Sequence, residues 1–148
     1  MTYWVAITAE DLPAVFNGKE IEAVTKPDNA AVLADAIGDI VAAIREAVAQ
    51  NRGNTLPDDQ TLIPRSLRPA ALDILALRLL KRFSVAVGDD RRKAAETAEQ
   101  RIESIRAERR LVMDQHGQMP VPPSQTPEII APEPSYGNDA KGFYPVPK

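Results

Sequence analysis

The chain has 148 residues with 44% hydrophobic content, enough for one domain with a real core and too little for a second of ordinary size. Its 18 Lys and Arg against 21 Asp and Glu leave a net charge of -3, with both signs interleaved, so no overall field favours nucleic acid or an acidic membrane. The lack of cysteine removes disulfides, thiolate metal ligands and cysteine nucleophiles together. No basic residue precedes the apolar stretch of residues 1–7, so it does not read as a secretory signal. The most apolar run, 69–80, is cut by Asp73 and Arg78 and falls short of the roughly 18 to 20 apolar residues that a bilayer demands. Synthesis in the cytoplasm and no membrane partner are the expectations.

Tyr3-Trp4-Val5-Ala6-Ile7 is aromatic and β-prone and predicts a short extended arm. Thr8, followed three residues later by Asp11, resembles a capping box and predicts a short helix over about 9–16, weakened by Pro13. Residues 19–24 predict another turn or two. Asp28 is a candidate N-cap for a long helix over about 29–51, stopped by Gly53. At about 100° per residue Leu33, Ile37, Ile40, Val41, Ile44, Ala47 and Val48 share one arc, while Asp35, Asp39 and Glu46 form an acidic stripe opposite.

Residues 54–65, with Pro57-Asp58-Asp59 and Pro64, predict a loop, and a third helix is expected from near Pro64 to Phe83. Its Leu67, Leu72, Ile74, Leu75, Leu77, Leu79, Leu80 and Phe83 point in nearly every direction. Such a helix is buried all round, either at the centre of a bundle or between the core and a subunit interface. Gly88-Asp89-Asp90 precedes a last helix over 91–113, whose apolar arc is Ala94, Ala95, Ala98, Ile102, Ile105 and Val112. Beyond Gly117 the helical period disappears, and eight of the 13 prolines lie between Pro120 and Pro147. The expected fold is all-α: a small bundle of three to four main helices over residues 1–117, with an extended N-terminal arm and an extended Pro-rich C-terminal tail over 118–148.

Chemistry-bearing clusters are sparse. His116 is the only histidine, which leaves histidine triads and most zinc sites without their parts, and it reads as a solvated residue or a charge partner of a helix C-terminus. Asp35 and Asp39 have the spacing of an acid pair or a Mg²⁺ site but lie opposite the apolar arc, as a solvated face does. Arg91, Arg92, Lys93, Arg106, Arg109 and Arg110 share a helical stretch with Glu96, Glu99, Glu103 and Glu108, the pattern of a solvated, partly paired surface rather than a phosphate site. Asp73, set among leucines, predicts a structural ion pair or a cap hydrogen bond. No catalytic residue, metal ligand or cofactor is expected. The tail is different, because Ile129, Ile130, Tyr136, Phe143 and Tyr144 stand between its prolines as candidate protein-binding anchors. They predict docking onto a partner or a neighbouring subunit; a flexible end with accidental hydrophobes is the alternative.

The order of these pieces resembles the head-tail connector, or neck adaptor, proteins of tailed bacteriophages, including the Mu-like neck proteins. The likeness is carried by Tyr3, Thr8-Ala9-Glu10-Asp11-Leu12, Phe16, Glu20-Ile21, Thr25, Ala36-Ile37-Gly38-Asp39-Ile40, Pro64-Arg65-Ser66-Leu67 and Ala71-Leu72-Asp73-Ile74. It spans about residues 3–112; Pro69, the highly charged fourth helix and the long tail depart from the pattern. The resemblance implies a virion protein of the neck, made in the host cytoplasm. It implies a homo-oligomeric ring of about twelve subunits, bound to the portal protein and to other neck or tail proteins. DNA passes through the channel without sequence-specific binding, and the stripe of Asp35, Asp39 and Glu46 is a candidate channel lining. From a different class, the alternative is a cytoplasmic scaffold or regulatory helical module that recruits a partner through its C-terminal tail.

Overall fold

A computed structural model of the chain describes residues 1–121, and the anchors Ile129, Ile130, Tyr136, Phe143 and Tyr144 lie outside the described residues. The aromatic arm is a strand, β1 (Trp4–Ala6), that pairs antiparallel with β2 (Leu62–Pro64) in the register Trp4 with Pro64, Val5 with Ile63 and Ala6 with Leu62. Arg65 N–H donates to Tyr3 O at 2.8 Å and extends the ladder by one bond. Two points of the expected fold are therefore corrected: the arm is part of the core, and the 54–65 loop contains a strand. An isolated two-stranded ribbon is marginal in water. This one is held because Trp4 and Ile63 are buried against the helices.

Thr8 opens a 3-10 helix (Ala9–Ala14) rather than an α-helix, consistent with Pro13 inside it, and its N–H donates to Asp11 Oδ2 at 2.9 Å. Asn17 and Glu20 form a reciprocal capping box for α1 (Gly18–Val24): Glu20 N–H donates to Asn17 Oδ1 at 3.0 Å and Asn17 N–H to Glu20 Oε2 at 2.9 Å. A 3-10 turn (Pro27–Asn29) precedes α2 (Ala30–Ala49). Asp28 lies in that turn and is not the N-cap; Asn29 instead donates through Nδ2 to Ala23 O at 2.9 Å, tying the end of α1 to the start of α2.

The third helix begins later than Pro64. A 3-10 turn (Arg65–Leu67) leads into α3 (Arg68–Arg82), with Pro69 in the first turn where its missing N–H costs little. Its end is a Schellman turn without glycine: Ser84 takes φ 54°, and Val85 N–H donates to Leu80 O at 2.9 Å. The fourth helix, α4, covers Asp89–Glu108, five residues short of the predicted end, because Arg109 turns left-handed (φ 49°) and Arg110 N–H bonds back to Ile105 O.

α3 packs against α1, α2 and α4 within one chain. Ala70, Ala71, Leu72, Ile74, Leu75, Ala76, Leu79 and Leu80 are buried there, as a central helix of the bundle requires. Burial is not complete all round: Pro69, Arg78, Lys81 and Arg82 are exposed and Asp73 and Leu77 half-buried, leaving one open stripe. The predicted arc of α2 is buried at Leu33, Ile40, Val41, Ile44, Ala47 and Val48, with Ile37 half-buried. The described residues are thus mostly helical, with one small two-stranded sheet. Among them no helix is long and apolar enough to cross a membrane.

Candidate protein-docking groove

After Arg109 the chain does not leave the core but runs back across β1 as an irregular strap, residues 109–119. Polar side chains hold it to the α2–β2 loop. Asn54 donates through Nδ2 to Arg110 O (2.9 Å) and accepts from Val112 N–H (2.8 Å), and Asn51 Nδ2 donates to Arg109 O. The indole Nε1–H of Trp4 donates to Met113 O at 2.8 Å. A tight loop follows in which Asp114 Oδ1 accepts from His116 N–H and Gln118 N–H, both at 2.8 Å. Gly117 closes it at φ 79°, where any Cβ would run into the ring of Tyr3. His116 is exposed in this loop, as a solvated residue, and is not at a helix end.

Between this strap and the neighbouring α4 face lies a groove of about 510 Å³. Leu67 and Ile105 form its floor, Leu111 and Val112 one wall, and Met113 and Met119 stand exposed at its margin. Arg65, Arg101 and Arg110 are the charged residues that line it; no carboxylate does. Arg110 is paired with Glu108, whereas Arg65 and Arg101 make no ion pair among the described residues. An apolar trough with a basic rim suits an apolar peptide that carries acidic residues. The predicted helix over 91–113 hid this feature, since its wall exists only because α4 stops at Glu108.

The acidic stripe takes a different form from the one expected. Asp35, Asp39 and Glu46 are all exposed, but Asp35 and Asp39 line a cleft whose other side carries Arg78 and Arg82 of α3. The surface there is of mixed charge. Asp73 also departs from expectation, with neither an ion pair nor a hydrogen bond among the described residues. Partial burial pushes its carboxyl above the ordinary 3.8, and the charge of Arg91 opposes the shift. Arg91 itself is committed elsewhere, to Glu20 and Val15 O, with its guanidinium 5.5 Å from the centre of the Phe16 ring.

A raised carboxyl stabilises the fold most below its ordinary value, and that contribution is lost as pH rises through the raised folded-state value. Asp73→Asn is therefore expected to raise stability at pH 7, by about 1 kcal/mol or less, and to remove that loss from the pH profile. Urea unfolding of both proteins between pH 3 and 7 checks it; parallel profiles would refute the account. Asp59 and Asp114, held low by hydrogen bonds chiefly from the Thr61 hydroxyl and the Gln118 N–H respectively, have the opposite sign. Their support is present above 3.8 and lost as pH falls through their lowered values, in both proteins alike.

Comparison with known proteins gives no match to a family model, a curated protein or a solved structure. Among the described residues no group of three or more His, Cys, Asp or Glu side chains is placed to hold a metal ion.

Proposed function

We propose that the chain is a structural, non-catalytic virion protein, a ring adaptor between the portal and the tail of a bacteriophage. The observation that carries this reading is that the apolar residues at the centre of the neck-adaptor resemblance belong to one packed unit. Leu12, Phe16, Leu67, Ala71 and Ile74 are buried in a common core. Two carboxylates of the pattern each serve twice: Asp11 closes the Thr8 turn and pairs with Arg68, and Glu20 caps α1 and pairs with Arg91.

In this reading the mixed charge of the Asp35 and Asp39 cleft fits a contact between ring neighbours better than the wall of a DNA channel. The second reading, a helical scaffold that recruits a partner through its tail, is favoured by one observation: α3 is covered by its own chain, so the core needs no neighbour to be complete.

Mass measurement and particle imaging of the full chain, alone and with its cognate portal protein, separate the two. The adaptor reading expects rings of about twelve copies of the 16.2 kDa chain, formed alone or on the portal. A chain that stays monomeric in the presence of the portal overturns it in favour of the scaffold.

A further inference from the structure

We propose that the groove between α4 and the 109–119 strap is the seat of the chain's own segment Glu128–Glu133, independently of the adaptor reading. The argument begins with charge. The lining carries Arg65 and Arg101, which make no ion pair among the described residues, and Arg110, which is paired with Glu108, and it has no carboxylate, a local excess of positive charge in a chain of net -3. From Gln118 to Ala140 the sequence carries Glu128, Glu133 and Asp139 and no Lys or Arg. Two of those three acids bracket Ile129-Ile130-Ala131-Pro132. The segment is thus apolar in the middle and acidic at both ends, the complement of an apolar trough with an arginine rim.

Chain connectivity supports the same occupant. Met119 lines the groove, and the described chain ends two residues later at Val121. Glu128 lies nine positions after Met119, a span of up to about 30 Å when extended and so long enough to turn back. A short tether holds the segment at an effective concentration of about millimolar, so even a weak match is occupied. Exposed apolar surface completes the case: Met113 and Met119, 45% and 52% exposed, flank the floor formed by Leu67 and Ile105 and are what two isoleucines would cover. The volume of about 510 Å³ lies inside the range of about 300–1,000 Å³ usual for pockets that enclose a ligand. The tail is thereby divided by role. Ile129 and Ile130 fold back on their own core, and Tyr136, Phe143 and Tyr144 remain for an outside partner.

The chain has no cysteine, so a pair can be introduced into the full-length protein without background. Ser66 is exposed and lines the groove, and Ala131 lies between the isoleucines and Pro132. The variant carrying Ser66→Cys and Ala131→Cys is expected to form an intramolecular disulfide on the order of tenfold faster than a reference carrying Glu46→Cys and Ala131→Cys. Adding Arg101→Glu, or Ile129→Asp with Ile130→Asp, is expected to slow it toward the reference rate. Equal rates in the two pairs, no effect of these added changes, or a product that is a disulfide-linked dimer overturns the proposal; the dimer would assign the groove to a second copy.

Discussion

Arg45→Ala is expected to destabilise the fold by about 3–5 kcal/mol, read as a fall of roughly 10–20 °C in the thermal midpoint. Arg45 is 7% exposed on α2 and makes no ion pair among the described residues. Its guanidinium is spent on backbone carbonyls instead: Nη1 donates to Asp59 O (3.0 Å) and Leu62 O (2.8 Å), and Nη2 to Pro57 O (2.7 Å). Its Cζ lies 5.9 Å from the centre of the Trp4 ring. One side chain therefore supplies donors to the loop before β2 and to β2 itself while covering the aromatic residue of β1. Truncation leaves three acceptors short of donors, and leaving a buried polar group unmade costs more than an average hydrogen bond returns. Arg45→Met keeps the apolar stem and is expected to recover only a minor part of the loss. A fall under about 1 kcal/mol would mean that the carbonyls reach water once the guanidinium is gone.

Leu75→Ala is expected to cost about 2–5 kcal/mol, the same amount at every protein concentration. Leu75 is fully buried at the centre of α3, where α1, α2 and α4 meet the same helix. Close-packed surroundings collapse only partly into the space that a lost isobutyl group leaves, so both the transfer term and the cavity term apply. The concentration series is the discriminating half of the measurement. If Leu75 faced a subunit interface, the substitution would also weaken assembly, and its cost would change with protein concentration by mass action. Ring formation, in the adaptor reading, then uses exposed surface, the Asp35 and Asp39 cleft with Arg78 and Arg82 among it, and leaves the buried faces of α3 to the core.

Long-period patterns were legible in the sequence and single-residue events were not. The α2 arc, apart from the half-buried Ile37, and four members of the predicted last arc, Ala95, Ala98, Ile102 and Ile105, are buried, because a repeated helical period averages over local accidents. Ala94 is half-buried and Val112 lies beyond the helix end. Leu62-Ile63-Pro64 is too short to show alternation and ends in a proline, so its pairing with β1 rests on a contact nearly sixty residues distant. The end of α4 at Arg109 carries no glycine to announce it. Arg45 reads as one charge beside Glu46 on a helix with an acidic outer face; its burial depends on carbonyls brought to it by the 57–62 loop. The groove was illegible for the same reason, since it exists only where α4 stops and the strap turns back. Asp73 was expected to have a partner because α3 looked closed on every side, and the open stripe along Pro69, Leu77 and Lys81 removes that requirement.

The hydrogen bond from Trp4 to Met113 O joins residues 109 positions apart. At about 5–20 residues per second of synthesis, the strap that receives the Trp4 indole is made on the order of ten seconds after that ring. Until then the aromatic arm has only β2 and the early helices to settle on, with one side of its ring uncovered. The nascent chain therefore passes through a window in which Tyr3 and Trp4 lack the cover of residues 109–119, and the strap that accepts the Trp4 hydrogen bond ends that window.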